Sequence, residues 1–136
     1  MTQLNVPVDI ADAVRAELES VGVNACCRPL PRDLEGSLPL TLVEPIGGGE
    51  RRAHVIDRFP VRLSTYADTS ASAIKVASLA FACIEACVGR DVGDVRCYKV
   101  SSLSLPYDST DPRHPDLARV LQTCHLWVRA NTIEQQ

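Results

Sequence analysis

The chain has 136 residues, 46% of them hydrophobic, 23% charged and 4% aromatic, which suits one domain that buries roughly two thirds of its unfolded surface without disulfides or metal. A formal net charge of −3 and a pI near 5.5 argue against a dedicated nucleic-acid binder, and the few aromatic residues disfavour a groove that stacks sugars or bases. The opening MTQLNVPVDIADAV lacks a basic segment followed by an apolar core, so a cytosolic product is expected.

Residues 1–8 read as an extended lead-in. Asp9 is a candidate N-cap with Asp12 in the first turn. Ile10, Val14, Leu18 and Val21 then repeat at helical spacing, with Asp12, Arg15 and Glu19 outside. Arg15 and Glu19 can pair at i,i+4, and Gly22 ends the helix. Val23 to Arg28 reads as a short strand stopped by Pro29 and Pro31, and Leu38 to Glu44 as a second strand broken by Pro45 and Gly47-Gly48-Gly49. The triple glycine leads into another strand and lacks the GxxxxGK[ST] of a phosphate loop, so it reads as a flexible hairpin loop. His54 to Ala67 is the third extended segment. Phe59, Val61, Leu63 and Thr65 share one face and Arg58, Arg62 and Ser64 the other. Pro60 predicts an edge strand, a bulge, or a strand that begins after it.

Asp68 to Gly89 is the one long, strongly periodic apolar stretch and predicts the central helix. Asp68, Thr69 and Ser70 offer caps, and Gly89 the stop. Ile74, Val76, Ala77, Ala80, Phe81, Cys83, Ile84, Cys87 and Val88 fall on one arc, with Lys75, Ser78, Ala82 and Glu85 opposite. The apolar run is too short and too interrupted to span a membrane. After a polar turn, Val95 to Leu105 reads as a fourth strand, with Val95, Cys97 and Lys99 alternating against Arg96, Tyr98 and Val100. Pro106 closes it, and PYDSTDPRHPD is a loop. Leu117 or Ala118 to Ala130 is the last strand, placing Val120, Cys124, Leu126 and Val128 on one face and Leu121, His125, Trp127 and Arg129 on the other. Asn131 to Gln136 reads as a mobile polar tail. The expected object is one α+β domain, ordered α-β-β-β-α-β-β, with a mostly antiparallel sheet of about five strands and two helices packed on it.

The residues predict no catalytic, cofactor or metal site. Six cysteines without a secretion signal read as buried free thiols. Cys83 and Cys87 have a spacing that metals use but no CxxC partner pair, and Cys26 and Cys27 should face opposite ways. His54 and His114 read as solvated, His125 as a packed or hydrogen-bonded imidazole. Cys124 and His125, as strand neighbours, cannot pair with each other. Asp108, Asp111 and Asp116 fit no EF-hand spacing. Arg51, Arg52 and Arg58 are too few for a duplex footprint and suit a solvated edge or a salt-bridging subunit contact.

Three blocks together carry a resemblance: GVNACCRPLPRDLEGSLPLTLVEPIGGG, RFPVRLSTYADTSASAIKVASLAFACIEACVG and SLPYDSTDPRHPDLARVLQTCHLWVRA. Their arrangement resembles the tail terminator (tail-completion) proteins of long-tailed bacteriophages, particularly those of actinobacterial phages and prophages, over nearly the whole chain. Head-closure and minor tail proteins are the nearest alternatives, and a small cytosolic thiol enzyme is a more distant one. The resemblance implies a structural virion protein, not an enzyme, assembled in the bacterial cytoplasm. It implies a homo-hexameric ring on the head-proximal end of the tail tube that stops polymerisation. Its partners would be the major tail tube protein and the head-tail connector or head-closure protein, with DNA passing through the lumen without specific binding and no membrane contact. A ring needs two unlike patches to meet. The long, mixed-charge loops make Gly47, Gly48, Gly49, Glu50, Arg51 and Arg52, together with Tyr107, Asp108, Asp111, Arg113 and His114, the expected interface residues, the alternative being that both loops are exposed connectors only.

Overall fold

The first helix forms where the apolar spacing puts it. In a computed structural model that describes residues 2–135, α1 spans Ile10–Ser20, and the Asp9 carboxylate accepts from the Asp12 N–H at 3.2 Å. Ile10, Ala11, Ala13, Val14 and Leu18 are buried. Outside, Arg15 holds Asp12 at 2.8 Å and Glu19 at 3.0 Å. Gly22 takes φ +88°, open to glycine without strain, and the Val23 N–H closes back on the Leu18 carbonyl at 3.0 Å.

The strands are β1 (Thr2–Val6), β2 (Ala25–Cys26), β3 (Leu40–Pro45), β4 (Glu50–Ala53), β5 (Ile56–Ala67), β6 (Asp91–Val92), β7 (Val95–Ser101), β8 (Tyr107–Asp108), β9 (Ala118–Arg129) and β10 (Asn131–Gln135), with α2 (Ser70–Glu85) between β5 and β6. The described residues thus form an α+β domain with two helices and a mostly antiparallel sheet, as expected, but with ten strands where about five were expected. The five expected strands correspond to β2, β3, β5, β7 and β9. The principal sheet runs β2-β3-β5-β9-β7-β6, with β4 added to β5 and β8 to β9. Only the β2–β3 pair is parallel among its described pairs.

Pro60 lies in the centre of this sheet, which none of the three expectations for it anticipated. β3 leaves β5 at Pro45, opposite Val61, and β4 joins at Glu50, opposite Arg58. The proline falls in the gap between those partners, so its missing N–H interrupts no ladder. Gly49 crosses the gap so closely that a Cβ there would lie 2.7 Å from the Arg58 carbonyl oxygen.

α2 is capped by Thr69, whose hydroxyl accepts from the Ser72 N–H at 3.2 Å. It ends at Glu85, four residues short of Gly89, because the chain tightens into a turn in which Cys87 N–H bonds the Ile84 carbonyl. Ala73, Ala77, Ala80, Cys83 and Ile84 face the sheet. Ile74 and Val88, expected inside, are exposed, and so is Leu79. The arc is rotated toward the alanines because small side chains let the helix backbone approach the strands, leaving the larger residues at the flanks.

Both helices lie against the face bearing Val43, Val61, Leu63, Cys124, Leu126 and Val128, which forms the main core. On the other face, a smaller cluster of Leu34, Leu40, Leu42 and Tyr66 sits under the 27–39 connection. Cys26 and Cys27 are both half-buried, one packed on each cluster. The fourth expected strand stops at Ser101, and a bulge between Cys97 and Lys99 turns Lys99 to the face opposite Cys97, against the expected alternation.

The expected lead-in and mobile tail are instead strands paired with each other. β1 and β10 form an antiparallel ribbon from Thr2↔Gln135 to Val6↔Asn131, separate from the main sheet. Met1 and Gln136 lie outside the described residues. No helix among the described residues is long and apolar enough to cross a membrane.

Candidate interaction surface

The two expected interface loops lie at opposite ends of β5. Glu50 pairs with Arg58, whereas Asp111 reaches Tyr66, eight positions or about 26 Å along the strand. They do not form one patch.

At the first end, Gly47 to Arg51 line a groove of about 650 Å³ with Pro45, Ile46, Phe59 and Pro60. Arg51 is fastened inward: it holds Asp57 through two bonds of 2.6 and 3.0 Å and donates to the Asn5 carbonyl at 3.0 Å, tying the terminal ribbon to the sheet. Hydrogen bonding to Asp57, with its charge, raises the Arg51 pKa. Glu50 receives Arg52 at 2.9 Å and Arg58 at 3.1 Å, and these bonds lower its pKa. All three arginines of the sequence triad are therefore engaged within the chain.

At the second end, Tyr107 and Asp108 are strand β8, paired with Leu121 and Val120. Asp108 accepts from the Ser70 hydroxyl at 3.2 Å. Asp111, expected as an exposed interface residue, is only 4% exposed. It accepts from the Tyr66 hydroxyl at 2.8 Å and the Arg113 N–H at 3.0 Å, with Arg119 at 3.8 Å. Burial pushes its carboxyl up, but these donors and the nearby guanidinium groups outweigh that and hold it below the usual range. The result is an anchor that pins the 109–117 loop onto the sheet. His114 is half-buried, not solvated, its ring edge-on to Tyr66 at 6.0 Å. Arg113 stays exposed.

Between the two ends lies a surface that the loop expectation missed. β3, β5 and β9 place Glu44, Arg58, Arg62, Thr123, His125 and Trp127 on the face away from the helices. Glu44, 6% exposed, is held by Arg28 and by Arg62 at 3.1 Å. Burial raises its pKa and the two arginines lower it further, for a net lowering. The Arg62 Nε is buried without a partner. Arg58 donates to His125 Nδ1 at 2.8 Å, which fixes the neutral imidazole with its proton on Nε2. Burial and then the Arg58 charge push the His125 pKa down. This is the hydrogen-bonded histidine expected from the sequence. Trp127 donates to the Ser101 hydroxyl at 3.0 Å, and its ring carries Arg52 at 5.4 Å and Lys99 at 4.8 Å. The face is thus a fixed, cation-rich platform. Its signal was present in the sequence as the second parity of two strands.

Cys83, Cys87, Cys97 and Cys124 lie together in the main core. The hydrogen bond with Cys83 lowers the Cys87 pKa against the opposing effect of burial, whereas burial pushes Cys97 up to about 11 and Cys124 up to about 12, away from the thiolate needed for nucleophilic work. No three His, Cys, Asp or Glu side chains among the described residues are placed to hold a metal ion. No protein-family model and no curated protein matches this sequence.

Proposed function

We propose that this chain is a phage tail terminator: a structural subunit that forms a six-membered ring on the head-proximal end of the tail tube, stops tube growth and presents the docking surface for the head connector. The observation that carries the reading is the pair of unlike uncovered surfaces on opposite sides of one sheet. One is the cation-rich strand face, and the other is the outer side of α1 and α2. A closed ring requires such heterologous patches, because each copy must offer its neighbours two different surfaces. The three sequence blocks that carry the resemblance also map onto the elements that build the sheet and its covering loops. The terminal ribbon, a separate two-stranded sheet held to the main one by Arg51, adds a further surface suited to contact with tube or connector.

Imaging of particles assembled without this protein tests the reading. Overlong tubes without heads are the expected product. Tubes of normal length beside unfilled heads would instead assign the chain to head closure.

A further inference from the structure

The charge of this molecule is strongly divided. On the strand face away from the helices, Arg52, Arg58, Arg62, Lys99, Arg119 and Arg129 stand against Glu44, Glu50 and the anchored Asp111. Arg28 and Arg113 join the same face through Glu44 and Asp111. Lys99 and Arg129 are exposed and have no carboxylate partner among the described residues. On the opposite side, the helix layer carries exposed Asp12, Glu19, Asp68 and Glu85 and the mostly covered Glu17 against half-buried Arg15 and exposed Lys75 and Arg90. It also exposes Ile74 and Leu79 on α2, at 41% and 47%.

We infer that the cation-rich strand face of one copy docks on the acidic helix layer of the next, and that this front-to-back contact is the interface of the ring. The inference rests on the terminator reading and names the two surfaces that reading needs. Charge complementarity selects the occupant: the unpartnered Lys99 and Arg129 of the strand face meet the exposed Asp68 and Glu85 of an identical neighbour's helix layer. The contact also covers Ile74 and Leu79, which water otherwise surrounds. A nucleic acid is the less suited occupant, because the Trp127 ring is already engaged by Arg52 and Lys99 and offers no free stacking platform.

Complementary charge reversal tests this in the full chain, with purified tail tubes as the nucleating surface and at low salt. One variant carries Lys99→Glu and Arg129→Glu, the other Asp68→Lys and Glu85→Lys. All four positions are exposed, and circular dichroism verifies that each variant is folded. Each variant alone is expected to need at least tenfold more protein to cap tubes, since like charges then meet at every joint. An equimolar mixture is expected to regain native capping, because alternating copies make every joint complementary. Variants that cap tubes as well as the native chain would overturn the interface and leave the terminator reading standing. Native chain that never caps tubes would end both. Unchanged capping with lost binding of duplex DNA by the Lys99→Glu, Arg129→Glu variant would reassign the face to nucleic acid.

Discussion

Replacing Tyr66 with phenylalanine removes one hydroxyl and leaves the ring's packing among Leu34, Leu40 and Leu42 in place. The hydroxyl is the donor to Asp111, a carboxylate 4% exposed. A hydrogen bond to a charged group contributes about 1.5–3 kcal/mol, and a buried acceptor left short of donors pays the upper part of that range. Asp111 keeps the Arg113 N–H and the Arg119 guanidinium, so the expected loss is about 2 kcal/mol. For a domain of this size, that lowers Tm by roughly 5–8 °C. Urea denaturation at pH 7 measures it directly, with the midpoint falling and the slope unchanged. The sign with pH is also fixed. The bond is made to the ionised carboxylate, whose folded pKa is held low, so the deficit is full above the ordinary aspartate value near pH 3.8. It shrinks as pH falls through the folded value. A loss under 0.5 kcal/mol at pH 7, or a deficit that grows on acidification, would refute the view that this pair pins the 109–117 loop.

Four further expectations follow from the same geometry. Gln122 is 1% exposed, donates to the Ala77 carbonyl at 2.9 Å and has an unpartnered Oε1; Gln122→Leu should therefore be neutral or stabilising by about 1 kcal/mol in urea denaturation. Glu44 ionises more readily in the folded chain than unfolded, so its stabilisation is present above about pH 4.5 and lost as pH falls through the folded value; Glu44→Gln should flatten the acid limb of a stability–pH curve. His125 has its pKa lowered, which opposes protonation in the folded state; stability should fall as pH drops below about 6.5, and His125→Gln should remove that component in thermal scans. Thiol labelling of the native chain at pH 8 should modify the half-buried Cys26 and Cys27 first and spare Cys97 and Cys124 until unfolding, as read by mass spectrometry.

Long periodic segments were legible and short or long-range pairings were not. α1, β5, α2 and β9 were placed within a few residues because their apolar periods repeat enough times to identify a face. The faces of β5 and β9 were assigned correctly, including Arg58, Arg62, His125 and Trp127 on the second parity. What sequence could not supply was register. Only the pairing of Arg58 with Trp127 and Arg62 with Thr123 turns two half-polar strands into one cation-rich face. The two-residue strands β6 and β8 carry too little pattern to find. The terminal ribbon escaped because Thr2 and Gln135 meet across the length of the chain. Strict alternation puts Lys99 on the face of Cys97; the bulge, which inserts one residue, reverses it and every later side chain. A polar loop predicts an exposed Asp111; its burial follows from Tyr66, forty-five residues away.

The most direct measurement is electron microscopy of purified tail tubes after addition of the purified chain. The account predicts a six-fold ring on one end of each tube, one ring deep, and tubes so capped no longer elongate with added tube subunits. Decoration along the tube wall, or tubes that continue to grow at the occupied end, would contradict it.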